Sequence, residues 1–317
     1  MELFPAMPLS VWRESKETFH RFAQIVGKIR LAASPRRNHW WNVPYHLTGR
    51  GLTTRPMGPV GGLFCIDFDL IDHRLTVDLA DGRRAGFSLI GRSVASFHRE
   101  LFDILRDFGI NVAIRAVPFD LPDTTPFAED FHHDSYDPAM ITRYWQVLSQ
   151  VAEVLELHAR EFGGKTSPVH HFWHTFDIAL TRFTGRVTST LPDDPVAREA
   201  YSREVISFGF WFGDNAHGSP MFYSYTAPEP DGLDVMPLRP EQAYWEPSGS
   251  GHLALLSYDD ARDTEDPVST VLRFYNSAYH AGAQLVGLDE YAHACPGGVS
   301  HAGSSAGPIT GAVAWDT

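Results

Sequence analysis

Phe64-Cys65-Ile66-Asp67-Phe68-Asp69-Leu70 places an apolar side chain at every second position, with Cys65, Asp67 and Asp69 between them. In an extended chain successive side chains point to opposite faces, so this stretch reads as a strand with one apolar and one acidic face. Residues 74–79, a turn at Asp81-Gly82 and residues 86–90 continue it as an antiparallel meander. Helices flank the meander. Ser10 can cap one that runs to about Leu31, where Phe19, Phe22, Val26 and Ile29 recur at helical spacing. Residues 47–54 read as a strand between that helix and the meander. Ser93 caps a second helix through Phe108, with Val94, Phe97, Leu101 and Leu105 on one stripe. A strand over residues 110–117 closes this half.

The same order follows again. After a Pro-rich crossing, Asp137-Pro138 combines a capping carboxylate with proline at the first helical position. Ile141, Tyr144, Trp145, Leu148, Val151 and Leu155 make the buried stripe, and Gly163-Gly164 stops it. Strands are expected at about 170–183, 205–211, 221–225 and 252–257, and Asp266-Pro267 starts a last helix. Short words recur too: Gly27-Lys28 with Gly164-Lys165, and His39-Trp40-Trp41 with His171-Phe172-Trp173, while Arg50 and Arg182 each lie 11 residues beyond their His. The expected fold is therefore α+β. It consists of two related halves, each a helix, an antiparallel β-meander and a helix, packed about a pseudo-two-fold axis. The halves are residues 1–126 and 127–290, and a Gly/Ala/Ser-rich tail over 291–317 is expected to be disordered.

Composition excludes several functions. A net charge of −13 repels phosphate backbones and anionic lipid, so neither nucleic acid nor membrane is an expected partner. No apolar run approaches the ~20 residues that span a bilayer. The two cysteines, Cys65 and Cys295, make neither a disulfide framework nor a Cys-based zinc site, which fits a reducing, cytoplasmic setting. Three lysines (Lys16, Lys28 and Lys165) stand among 26 basic residues, an imbalance that reads as codon bias. No Walker loop, G-x-G-x-x-G, G-x-S-x-G elbow or nucleophilic-Cys setting is present.

Several groupings can carry chemistry. In His170-His171-Phe172-Trp173-His174, an extended chain puts His170, Phe172 and His174 on one face, where two imidazoles suit a transition metal with Asp177 completing the shell. His132-His133-Asp134 sits before a helix N-terminus, where an imidazole beside carboxylates can serve as an acid–base group. Asp67, Asp69, Asp72 and His73 form an acidic strand face ending in a histidine. Trp40 and Trp41 point opposite ways, so one of them can wall a pocket. Glu204 can serve as a general base if an aromatic pocket raises its pKa.

Longer words cover most of the chain. They include Val26-Gly27-Lys28-Ile29-Arg30-Leu31, Asn38-His39-Trp40-Trp41, Ile66-Asp67-Phe68-Asp69 with Asp72-His73, and His133 before Ser135-Tyr136-Asp137-Pro138. Ser167-Pro168-Val169-His170, Phe172-Trp173, Thr181-Arg182-Phe183 and Phe222-Tyr223-Ser224-Tyr225 follow. On these words the chain resembles an uncharacterised bacterial family, domain of unknown function 5996, from about Trp12 to Leu288. The resemblance implies no activity. It does place His39, His73, His133 and His170 inside family-like words, and His171 and His174 at positions where the family pattern has other residues.

The expected function is a small-molecule enzyme with a His- and aromatic-lined pocket between the halves, acting on a carboxylate-bearing substrate. His39, His133, His170 and Glu204 are the candidate catalytic groups. Trp41, Trp173 and Tyr223 would wall the site, and Arg50 and Arg182 would grip the carboxylate bidentately. A divalent transition metal on His73, His170, Asp67, Asp69 and Asp177 would support hydrolytic or redox chemistry. The alternatives are a non-catalytic ligand-binding or scaffold protein and a haem protein with one axial His. An enzyme should bring at least three of the four family-word histidines into one cavity.

Overall fold

The computed structural model describes residues 2–189 and 192–299. Helix α1 (Arg13–Ala33) begins later than Ser10 because residues 2–12 are tied down elsewhere. The Leu9 N–H bonds the Gly218 carbonyl at 3.0 Å, and the Tyr258 hydroxyl bonds the Pro5 carbonyl at 3.0 Å. The apolar stripe of α1 is buried as its spacing predicts, and so are Ser15, Thr18, His20, Gln24 and Lys28, because the helix is packed on nearly every side.

Residues 47–54 form two strands rather than one, β1 (His46–Leu47) and β2 (Gly51–Thr53), joined by a turn in which the Thr48 hydroxyl accepts from the Arg50 and Gly51 N–H groups. The meander is β3 (Phe64–Asp69), β4 (Arg74–Leu79) and β5 (Arg84–Ser88), in an antiparallel sheet of order β1-β2-β3-β4-β5. Helix α2 (Val94–Asp107), capped by Ser93, covers its apolar face, with Phe97 stacked on Phe22 of α1 at 4.2 Å. Residues 110–117 are not a strand. The sheet ends at β5, so the segment has no ladder to join and runs as irregular chain beside α2.

The second unit opens with α3 (Pro138–Ala159), capped by Asp137. The expected strand over 170–183 is divided into β6 (His170–Phe172) and β7 (Asp177–Val187) by a turn at which Phe176 takes φ +59°. A short helix α4 (Pro195–Ala200) precedes β8 (Arg203–Trp211) and β9 (Met221–Ala227). Strand β10 (Tyr244–Ser248), which no alternation marked, pairs with β11 (Gly251–Ser257). Helices α5 (Tyr258–Arg262), α6 (Pro267–Leu285) and α7 (Glu290–His293) follow. Residues 291–299 thus include ordered structure where a disordered tail was expected; the rest of that tail, 300–317, lies outside the described residues. The second sheet has the order β10-β11-β9-β8-β7-β6, and all its pairings are antiparallel.

One face of this sheet is packed against helices. Phe208 meets His158 of α3 at 4.4 Å, and Gly282 brings α6 so close that a Cβ there would overlap the Thr226 hydroxyl. The opposite face carries Asp177, Thr181, Phe183, Ser207, Trp211, Tyr223 and Tyr225. Gly209 on that face is required by packing, since a Cβ would overlap the Tyr223 ring.

The two sheets meet edge to edge. Tyr45 and His171 exchange both backbone hydrogen bonds, at 2.8 and 3.1 Å. Beneath that seam, Phe19 touches Phe68 of the first sheet at 5.4 Å and Phe176 beside the second at 5.9 Å, so one apolar core is continuous across both. The fold is α+β with two antiparallel sheets. The paired sequence words occupy unlike elements: His39 lies in a 3-10 turn and His171 in β6, and Arg50 lies in a turn while Arg182 lies inside β7. No helix among the described residues is long and apolar enough to cross a membrane.

Candidate functional site

Between the open face of the second sheet and a cover made by α4 and residues 38–43 lies a cavity of about 750 Å³. Its floor follows from strand periodicity: alternate residues of β7, β8 and β9 project Asp177, Thr181, Ser207, Tyr223 and Tyr225 into it. Trp41, Phe119, Phe172, Trp173 and Phe183 supply the walls. The bonds that fasten the cover include those from the Trp40 indole N–H to the Val196 carbonyl at 3.0 Å and from the His39 backbone N–H to Glu199 Oε1 at 2.9 Å.

The floor is a hydrogen-bonded polar strip. Tyr223 Oη and Thr175 Oγ1 both donate to the Asp177 carboxylate. Thr181 and Ser207 hydroxyls bond at 2.8 Å, and the Tyr201 and Tyr225 hydroxyls lie 3.4 Å apart. Burial raises the Asp177 carboxyl above the usual carboxylate range, and the Thr175 and Tyr223 bonds offset part of that rise. Burial, reinforced by Asp177 and Tyr225, holds the Tyr223 phenol protonated.

The remaining polar groups are cationic or basic. Lys28 is the one Lys or Arg among the described lining residues; its ammonium stands 5.7 Å from the Trp173 ring, and burial and then Arg115 lower its pKa. Lys165 stacks behind the wall, 4.4 Å from the Phe183 ring and 5.1 Å from that of Trp41. His39 is shifted down by burial and then by Lys165, and His170 is pushed down to about 3, chiefly by burial. Neither Nδ1 has a hydrogen-bond partner among the described residues. His174, pushed down to about 4 by burial, joins this cavity to a smaller one of about 230 Å³ that is lined by Lys16 and His20.

The cavity brings together six of the residues assigned a catalytic, substrate or metal role from sequence: His39, Trp41, His170, Trp173, Asp177 and Tyr223. The others lie elsewhere. His133 pairs with buried Asp130 at 2.8 Å near the start of α2, and His73 bonds the Tyr136 hydroxyl at 3.1 Å. Glu204 accepts from Thr184 at 3.0 Å and Arg186 at 2.6 Å. Arg50 is exposed and ion-paired to Asp69 at 2.6 Å and Asp72 at 2.7 Å. Arg182 is buried on the helix-covered face, 4.4 Å from the Tyr279 ring and bonded to the His158 carbonyl, because its odd–even position on β7 points it away from the cavity. The proposed metal ligands do not meet. Asp67 lies with Cys65 and Asp78 on the acidic face of the first sheet, their ligand atoms within 4.8 Å of one another, while His170 and Asp177 belong to the cavity. The cavity thus holds two of the four family-word histidines, fewer than an enzyme built on them requires.

Sequence reading missed Lys28, Ser207 and Tyr225. A signal for the first was present: all three lysines of the chain stand at these two cavities, so their rarity marks position as well as codon usage.

A family model described as "Family of unknown function (DUF5996)" matches residues 4–295, and the chain belongs to that family. No curated protein and no solved structure matches it.

Proposed function

We propose that this member of the family binds a small, ring-bearing organic molecule in the second-sheet cavity and moves a proton to or from it through the Asp177 carboxyl. The observation that carries this reading is a carboxyl on an aromatic-walled floor, raised by burial and fixed by Tyr223 and Thr175. General acids and bases work best when their pKa approaches the operating pH, and burial moves a carboxyl in that direction. Trp41 and Trp173 offer ring faces for stacking. Lys28 takes the place of Arg50 and Arg182 as the group that meets a substrate carboxylate.

A second reading, ligand binding without turnover, is favoured by one feature: the Nδ1 atoms of His39 and His170 have no hydrogen-bond partner among the described residues to orient either ring as a base. The shared order of helix, edge strand at the seam, meander and helix also supports descent of the two units from one ancestral unit, and composition supports a cytoplasmic setting.

Tryptophan fluorescence against a panel of small aromatic acids identifies the ligand, and Asp177→Asn then separates the readings. We expect the variant to keep binding and lose turnover. A ligand consumed equally well by Asp177→Asn overturns the catalytic role, and one bound but never consumed by wild type leaves the binding reading. Stability supplies an independent check. Because the folded pKa of Asp177 is raised, its stabilising contribution is fully present below the unfolded pKa and is lost as pH rises through the folded value. Asp177→Asn is therefore expected to be more stable than wild type at pH 7, with the difference closing in acid, as measured by denaturant unfolding.

A further inference from the structure

Beyond the Tyr45–His171 bridge, the next rung of the seam is His46 opposite His170, their rings 5.1 Å apart and nearly perpendicular at 84°. Both are buried, at 8% and 1% exposure. Arg30 of α1 joins them at 5% exposure, with a guanidinium that makes no hydrogen bond or ion pair among the described residues and an Nε shut off from water. The Arg37 and Arg55 side chains, both exposed, are equally without acidic partners, and the charges of Arg30, Arg37 and Arg55 all bear on His46. In a chain with 39 acidic residues against 26 basic ones, no carboxylate among the described residues answers this group. Buried charge left uncompensated is costly, and guanidinium forks match the oxygens of phosphate.

We propose that the seam between the sheets binds a phosphate-class oxyanion, held by Arg30, His46 and His170 with Arg37 and Arg55 at the rim. The neutral imidazoles donate through ring N–H groups, and the unpartnered Nδ1 of His170 is free to do so. This site does not use Asp177 and does not depend on proton transfer there. His170 is common to both, because its ring also meets Trp41 edge-on at 6.2 Å in the cavity wall. The anion is therefore either free phosphate or the phosphate of a molecule whose body lies in the cavity.

The test is titration of the full chain with inorganic phosphate by calorimetry, alongside thermal unfolding in phosphate and in chloride at matched ionic strength. Phosphate is expected to raise the melting temperature above the chloride value. Arg55→Gln and His46→Asn are expected to weaken phosphate binding about tenfold each, the effect of losing one charge-assisted bond. Arg30→Gln, which removes the unpaired buried charge, should be at least as stable as wild type without phosphate and should lose binding. Phenyl phosphate that binds more tightly than inorganic phosphate, with the gain lost in Trp41→Ala, assigns the anion to a larger molecule; equal affinities assign free phosphate. Stabilisation no greater in phosphate than in chloride, or unchanged affinity in Arg55→Gln and Arg30→Gln, overturns the proposal.

Discussion

Lowering the pH from 7 to about 5 is expected to unfold this protein, with proton uptake by its enclosed histidines. His20, His46, His170 and His171 are pushed down to about 3 and His174 to about 4, in every case mainly by burial. A folded pKa below the unfolded value near 6.5 means that each imidazole contributes stability fully present above pH 6.5. That contribution is lost as pH falls toward the folded value. At pH 5 the loss is about 2 kcal/mol per group, on the order of 10 kcal/mol together, which matches the whole stability of an ordinary domain. Local bonds modulate the effect: the Trp173 carbonyl raises the His20 pKa and offsets part of the drop caused by burial. His171 Nε2 lies 2.6 Å from the buried Tyr144 hydroxyl, and His20 Nε2 lies 2.9 Å from the Trp173 carbonyl. Circular dichroism against pH, combined with potentiometric proton counting, measures both midpoint and uptake. A midpoint below pH 4, or uptake of only one or two protons, would show that carboxylates rather than these imidazoles govern acid unfolding. Replacing His171 with Gln should make the transition shallower.

Trp173→Ala is expected to cost about 3–5 kcal/mol, the range for truncating a fully packed aromatic. Trp173 is 4% exposed and couples three parts of the molecule. Its ring lies against Gly27 of α1, where a Cβ would overlap it, its indole N–H bonds the Val43 carbonyl at 3.2 Å, and its own carbonyl receives His20. Truncation empties that space, leaves the Val43 carbonyl unpaired and removes a cavity wall together. Trp41, half-buried at the same cavity, is the control: Trp41→Ala should lose ligand while costing much less in urea unfolding. Equal losses in the two variants would show that Trp173 has no special structural role. Gly27→Ala, which gains helix propensity but drives a methyl into the ring, should be destabilised for the same steric reason.

Local periodicity carried the parts of the fold that depend on neighbours in sequence. The stripe of α1, the alternation of β3 and the Asp-Pro starts of α3 and α6 each follow from one residue's relation to the next few, and each stands where it was expected. The odd–even rule also put His170 and Phe172 on a common side, and both line the cavity; Trp173 and His174 line it too, but from the turn after β6, where alternation no longer applies. Residues 110–117 fail as a strand for a non-local reason, because strand character is realised only beside a partner edge. Arg182 fails as a ligand group because its strand position turns it into the core. His73 and His133 are claimed by Tyr136 and Asp130.

By itself, then, the sequence determined the helix and meander content and the family, and it named Asp177, Trp41, Trp173, His39 and His170 within a longer list of candidate site residues. Tertiary structure alone decided which of the polar residues share one pocket. It also decided that Lys28 faces it and that Arg30, His46 and His170 gather at a seam between two sheets. The physical reason is that a side chain's direction follows from its own strand or helix, whereas its neighbours across 100 residues follow from how whole elements pack.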